Sequence, residues 1–410
     1  MASDVPPPEL LEEILSRLPV KSLLQFRSTS KSLKSIIDSH HFINLHLKNS
    51  LSRSLIIQHK FDLYQLQIDD HDDFSKSMMI PLNHPFTTKI TPVTRNRTRT
   101  MALIGSCNGL LAISHGQLAF NHPNNPNEIT IWNPSTRKHR MIPFLPLPIP
   151  DIMESDNINR CCLCVHGFGF DPLTGDYKLL RISWLASPHN SFYDSHVRLF
   201  SSITNSWKII PSMPYSLIYA QFMGVFVENS LHWIMTKKLG GLHPSLIVAF
   251  NLTLEIFNVV PLPDVHNSNE SFEIDVDVLG GCLCMTYYET TKVDVWVMKE
   301  YGSRDSWCKL FTMVKSCYDL PLKSLRPLGY SSDGKKVLLR VDAEKLFWYD
   351  LKSAQVSYVE GIPDFHGVMF CVGSLVPPSF PVDNSKKKEN RTSKSMRRDD
   401  FLSRGFKLRL

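Results

Sequence analysis

Between residues 129 and 363 one short pattern returns five times, and it leaves few folds open. The pieces read ITIWNPSTRKHRMIP (129–143), VRLFSSITNSWKIIP (197–211), IVAFNLTLEIFNVVPLP (247–263), VDVWVMKEYGSRDSWCKLF (293–311) and KLFWYDLKSAQVSYVEGIP (345–363). Each is an alternating apolar strand, a turn rich in Asn, Ser, Thr or Gly, and a second strand. Aligned on Trp132, Leu199, Phe250, Trp296 and Trp348, they stand 67, 51, 46 and 52 residues apart. Another strand pair precedes each: SCNGLLAIS, GFGFDPLTGDYKLLRIS, VFVENSLHWIM, LGGCLCMTYY and LGYSSDGKKVLLRV. Four strands in a repeat of about 50 residues predict the blades of a β-propeller, which bury their apolar faces against one another. The stretch from Leu55 to Leu82 has room for a degenerate further blade, so about six four-stranded blades are expected.

The blade pattern also sorts the loops. In an antiparallel blade the one–two and three–four turns lie at one end; the two–three loops and the linkers between blades lie at the other. The first set is short: DPLTGD, SITNS, SSDGK. The second holds the long segments 115–128, 143–160, 184–195 and 236–245. Long loops on a rigid frame are where binding concentrates. This end, with Phe192, Tyr193, His243 and Tyr288, is the predicted partner face.

Ahead of the repeats lies a helical head to about residue 50. Leu10, Leu11, Ile14, Leu15 and Leu18 fall on one helical face, with Pro8 in the first turn. Pro19 ends that helix and starts a second over Val20–Phe26. Ser28, Thr29 or Ser30 caps a third, which holds Leu33, Ile36 and Ile37. Three short helices cannot cover all this apolar surface by themselves. Each large aliphatic side chain gains about 1.5–3 kcal/mol on burial, so the helices of a partner are expected to cover the remainder.

Charge and motif content narrow the function. The net charge is +6, but residues 384–410 carry ten Lys/Arg and three acids, leaving the rest of the chain near −1. The basic excess is therefore a tail, and a nucleic-acid-binding face on the folded body is not expected. In that tail Lys386, Lys387, Lys388, Arg397 and Arg398 form two basic clusters. They suit a two-part nuclear import signal or a solvated disordered tail. No apolar run approaches the roughly 18 residues of a membrane span. Acids at 4, 9, 12 and 13 argue against a leader sequence. Nine cysteines without framework spacing fit free thiols in a reducing compartment, here the nucleus and cytoplasm. The group Cys161, Cys162, Cys164 and His166 lies in strand-like sequence, where alternate residues face opposite ways, so buried thiols are favoured over a metal site. No nucleophile elbow, zinc-protease motif or phosphate loop occurs. Neither a catalytic residue nor a cofactor is expected.

With these residues laid out, the head resembles an F-box: PPELLEEILSRLPVKSLLQFR (Pro7–Arg27) follows that family's pattern. It departs at Pro6, where a leucine is usual, and at Leu33, where a tryptophan is usual. The body is similar to the F-box-associated interaction domain of plant F-box proteins in GSCNGLL, IWNPSTRKHRMIP, GFGFDPLTGDYKLLRI and NSLHWI. The resemblance implies an α+β multidomain chain: an F-box at 1–50, a β-propeller substrate-binding domain at 51–380 and a basic tail at 381–410. It further implies a non-catalytic substrate receptor of a cullin-RING ubiquitin ligase, joined to cullin and RING subunits through a Skp-type adaptor. Pro7, Pro8, Leu10, Leu11, Ile14, Leu15, Leu18, Pro19, Leu23 and Leu24 match the positions that family members set against the adaptor. Similar plant proteins act in disease resistance, pollen self-incompatibility and stress signalling, and the residues do not choose among these. A propeller scaffold that does not recruit the adaptor is the alternative.

Overall fold

The computed structural model describes residues 8–50, 53–67, 79–87, 101–115, 128–146, 161–186, 192–217, 223–237, 245–263, 273–314, 324–342, 345–362 and 364–378. The head holds four helices: α1 (Pro8–Ser16), α2 (Val20–Thr29), α3 (Lys31–Ile37) and α4 (His40–Asn49). Pro19 stands at the N-cap of α2, and of the three candidate caps it is Ser30 that starts α3, its hydroxyl accepting from Ser32 N at 3.2 Å. Helix α4 corrects the expectation of three helices. Its sequence, HHFINLHLKN, is interrupted by polar residues, and tertiary contacts hold it. Phe42, Ile43 and His46 are buried, and His46 Nε2 donates to Leu18 O at 3.0 Å.

The rest of the described residues form mainly antiparallel sheet. Strands β1 (Arg53–His59), β2 (Asp62–Gln67) and β3 (Ile80–Leu82) form one sheet with the last described strand, β25 (Gly367–Val372), in the order β25-β1-β2-β3. The stretch from Leu55 to Leu82 thus supplies three strands, and the chain's other end supplies the fourth. A second sheet runs β4 (Met101–Cys107), β5 (Leu110–His115), β6 (Glu128–Trp132), β7 (His139–Met141). Two further four-stranded sheets are β17 (Glu273–Leu279), β18 (Cys282–Tyr288), β19 (Lys292–Met298), β20 (Trp307–Val314), and β21 (Leu325–Tyr330), β22 (Lys336–Val341), β23 (Lys345–Asp350), β24 (Val356–Tyr358).

The third sheet in chain order is different: it has nine strands. One half is β8 (Cys161–Asp171), β9 (Asp176–Ala186), β10 (Phe192–Ser201) and β11 (Ser206–Ile210). The other is β13 (Met223–Val227), β14 (Ser230–Thr236), β15 (Leu246–Asn251) and β16 (Phe257–Val260), with β12 (Ser216–Leu217) on β14. Separate four-stranded sheets therefore number four among the described residues, fewer than expected. A parallel pairing of β8 with β13, Met223 opposite His166 and Gly224 opposite Gly167, stitches the halves together. Glycine explains the approach: a Cβ on Gly167 or Gly224 would lie 2.8 or 2.4 Å from the indole of Trp233. Only bare backbone lets both strands pass that ring.

The five aligned residues Trp132, Leu199, Phe250, Trp296 and Trp348 all fall on the third strand of a four-strand run, as the repeat predicts. Apolar clusters fill the space between successive runs, from Ile56 with Leu111 and Val165 with Leu231 to Val276 with Val227 and Leu279 with Leu325. The last, Leu338 with Leu55, joins the final run to the first, so the ring closes on itself.

A buried charge network ties the two halves of the nine-stranded sheet. The Asp171 carboxylate, at the β8–β9 turn and 0% exposed, accepts from Thr253 Oγ1 at 2.5 Å, Thr174 Oγ1 at 2.7 Å and Lys178 Nζ at 2.9 Å. Lys178 also donates to Leu252 O at 2.6 Å. Leu252 and Thr253 belong to the β15–β16 turn. Burial alone would push the Asp171 carboxyl up, but these hydrogen bonds outweigh it and hold the group at about 2. A carboxyl held below its unfolded value stabilises the fold above that unfolded value, and the gain is lost as pH falls through the folded one. The difference corresponds to about 2 kcal/mol. Thermal melts between pH 5 and pH 2 should show the wild type losing this increment, whereas Asp171→Asn should lack it throughout; parallel curves would refute the assignment.

Candidate recognition surfaces

The two ends of the ring carry different chemistry. At the end of the one–two and three–four turns sits the helical head. Its core consists of Leu15, Val20, Leu23, Ile37, Phe42 and Ile43, all buried. Outside that core, Leu10 and Ile14 are each 51% exposed and Phe26 is 41% exposed. Pro19 is exposed, while Leu11, Leu18 and Leu24 are half-buried. The residues matched to the family's adaptor positions thus divide. Leu10 and Ile14, one turn apart on α1, face solvent; Leu15 and Leu23 are buried in the apolar cluster that the head shares with the propeller. Pro8 opens α1, and Pro7 lies outside the described residues. Phe26 was missing from the matched set, although its place in LLQF at the end of the apolar run was a usable signal. An ion pair braces this head: the Arg27 guanidinium meets Asp38 through two hydrogen bonds of 2.5 and 2.9 Å.

The other end carries the two–three loops and linkers. Much of their length, His243 included, lies outside the described residues. Phe192 and Tyr193 begin β10, with Phe192 opposite Ala186. Tyr288 closes β18, and its hydroxyl is used within the fold, donating to Asp275 Oδ2 at 2.8 Å and accepting from Leu325 N at 2.9 Å. The bond with Leu325 joins the sheet of β17–β20 to that of β21–β24.

Around Tyr288 stands a charged group that sequence reasoning did not single out. Asp275 and Asp277 alternate with apolar residues along β17, and Arg326 and Arg340 face each other across β21 and β22. Arg326 Nε lies 3.3 Å from Asp277 Oδ2. Burial pushes the Asp277 carboxyl up to about 6; Arg326 opposes the shift and the charge of Asp275 adds to it. Arg340 donates to His366 O at 3.2 Å and lies over the Phe365 ring. The usable signal was the Asp-x-Asp alternation on an innermost strand, where one side chain in two faces the neighbouring sheet. Such an arrangement can recognise polar groups through hydrogen bonds and charge.

Cys164 is a buried free thiol on the Cys/His-bearing strand. His166 is 2% exposed, and burial followed by the charge of Arg181 pushes its imidazole down to about 3. A guanidinium directly across the strand pair opposes a metal cation there. Among the described residues no group of three or more His, Cys, Asp or Glu is placed to hold a metal. Lys386, Lys387, Lys388, Arg397 and Arg398 lie outside the described residues.

Comparison with known proteins agrees with this architecture. Residues 54–359 match the F-box associated beta propeller domain, and residues 7–45 match the F-box domain. The F-box protein CPR1 of Arabidopsis thaliana is 34% identical, covering 98% of this chain and 98% of the relative. F-box protein At4g22390 of the same plant is 29% identical, over 98% of this chain and 99% of its own. F-box/kelch-repeat protein At3g23880, also from Arabidopsis thaliana, is 27% identical over 81% and 84%. A helical F-box followed by a β-propeller is what the fold defines. The chain belongs to the family of plant F-box proteins that carry an F-box-associated β-propeller domain.

Proposed function

We propose that this chain is the substrate-recognition subunit of an SCF-type cullin-RING ubiquitin ligase, acting in the nucleus and cytoplasm. Its F-box docks on a Skp-type adaptor, and its propeller holds a target protein for ubiquitination. One observation carries the reading. Beyond the cluster it shares with the propeller, the F-box leaves Leu10, Ile14 and Phe26 in solvent, an apolar excess that a small helical unit sheds by association. The chain itself supplies no transfer chemistry in this reading. It raises the effective concentration of the target near the conjugating enzyme. We read the nine-stranded sheet as two blades fused edge to edge, giving six around the ring. The target is assigned to the loop end, with Phe192, Tyr193 and His243 as its proposed contacts and the polar group around Arg326 and Asp277 in support of that reading. Co-precipitation of the full chain with a purified Skp-type adaptor tests the first half directly. A stoichiometric complex is expected, and failure of the wild-type chain to bind would leave the scaffold alternative in its place.

A further inference from the structure

Three sequence segments that the recognition surfaces do not use, GSCNGLL, IWNPST and DPLTGDYKLL, meet at one point beneath the second sheet. There the chain emerges from β25 and runs on as Gly373–Val376. Ser374 is 0% exposed, Val376 1% and Leu375 8%, which is unusual for a segment that follows the last described strand. Asn133, itself 0% exposed, donates from Nδ2 to Ser374 O at 2.9 Å and to Val376 O at 2.8 Å. Its Oδ1 accepts from Ser135 N at 2.8 Å and Thr136 N at 3.1 Å, so the turn holds the amide in place. Gly109, at φ +77°, presents bare backbone; a Cβ there would lie 2.2 Å from Ser374 Cβ. Asn108 donates to the Tyr177 hydroxyl at 3.1 Å, anchoring the same turn to the next sheet.

The segment also touches the F-box. Ser50, just past α4, donates from its hydroxyl to Gly373 O at 3.1 Å. Leu375 and Val376 share one apolar cluster with Leu15, Leu23, Ile37 and Phe42 of the F-box and with Ile104 and Leu110 of the second sheet. Asp38, at the end of α3, is held low first by its hydrogen bond to Arg27, and the charge of Lys138, from the Asn133 turn, adds to this.

We propose that Gly373–Val376 is a strap, clasped by Asn133 and seated on Gly109, that locks the F-box against the propeller as one rigid body. The covalent path from α4, which ends at Asn49, to β1, which begins at Arg53, is a single tether between the two units. The strap supplies the second tether. It fixes the F-box at the short-turn end, so the loop end points away from whatever binds the F-box. A rigid connection holds a bound target at one distance, whereas a loose one spreads the effective concentration over many. This consequence for ubiquitination rests on the function proposed above; the rigid coupling itself does not.

The test is single-molecule energy transfer in the full chain, with dyes on unnatural residues at Gln25 of α2 and Lys352 of the β23–β24 turn, both exposed. The wild type should give one narrow transfer distribution. Asn133→Ala should replace it with a broad one, as should Val376→Asp, which puts a charge into the shared cluster and leaves every sheet strand intact. Deletion of 379–410 should leave the narrow distribution unchanged. A narrow wild-type-like distribution in both substituted chains would overturn the strap, and so would a broad one in the wild type. Since no adaptor is present, loss of the ligase reading would not mimic either result.

Discussion

Replacing Leu10 and Ile14 together with aspartate is expected to abolish capture of the Skp-type adaptor while leaving the chain folded. Both side chains are 51% exposed, so an added carboxylate stays in water and costs the free protein little. In a complex the same carboxylates would be desolvated without partners, which costs several kcal/mol. Losing two central apolar anchors alone removes at least about 2 kcal/mol, and affinity should fall at least about 30-fold. Leu15→Asp makes the contrast. Leu15 is 5% exposed and lies in the F-box core, so this variant should lose adaptor binding by unfolding the head. Circular dichroism and adaptor titration on the same samples separate the cases. A Leu10/Ile14 double variant that binds as the wild type does would remove α1 from the adaptor contact.

Trp233→Ala should be among the most destabilising single changes in the propeller. The indole is 0% exposed and lies over the glycine pair that lets β8 and β13 meet. Truncating a buried tryptophan to alanine typically costs about 3–5 kcal/mol, because transfer energy and a residual cavity add. Gly224→Ala attacks the same contact from the opposite side. Its new methyl would stand 2.4 Å from the ring, an overpacking expected to cost about 1–3 kcal/mol. Chemical denaturation should show both losses. The double variant should lose less than the sum, since the smaller side chain at 233 makes room for the methyl. Additive losses would mean the two positions do not share this contact.

Legibility differed by element for physical reasons. The five hairpins were readable because strand alternation and turn chemistry act within about ten residues. The register of Trp132, Leu199, Phe250, Trp296 and Trp348 on third strands follows from that. The partner of β25 was not readable, for GVMFCV fits any sheet edge and only ring closure assigns it to β1. Nor did the alternation reveal the fused sheet, which depends on where Trp233 places its ring. In the head, helical periodicity found the apolar face of α1 but could not divide it. Helix α4 packs on one side of that face and covers Leu15, leaving Leu10 and Ile14 in water.

Tyr288 shows the same limit at the candidate site. An aromatic residue at a strand end, on the loop side, reads from sequence as a contact residue. Its hydroxyl is committed instead to Asp275 and Leu325, partners 13 and 37 residues away. Asp277 and Arg326 were overlooked for the converse reason. The Asp-x-Asp alternation on β17 marked one side of the group, but Arg326 lies far along the chain on β21, and the two become a group only when two sheets meet.

The sequence by itself determined the blade repeat, the first three F-box helices and the separation of short turns from long loops, because these follow from side-chain period and turn geometry over short range. Tertiary structure alone decided how the ring closes, which apolar side chains of the F-box stay exposed, and that Asn133 holds the strap between F-box and propeller. Each of those depends on burial between segments far apart in the chain, where close packing rather than local preference selects the contact.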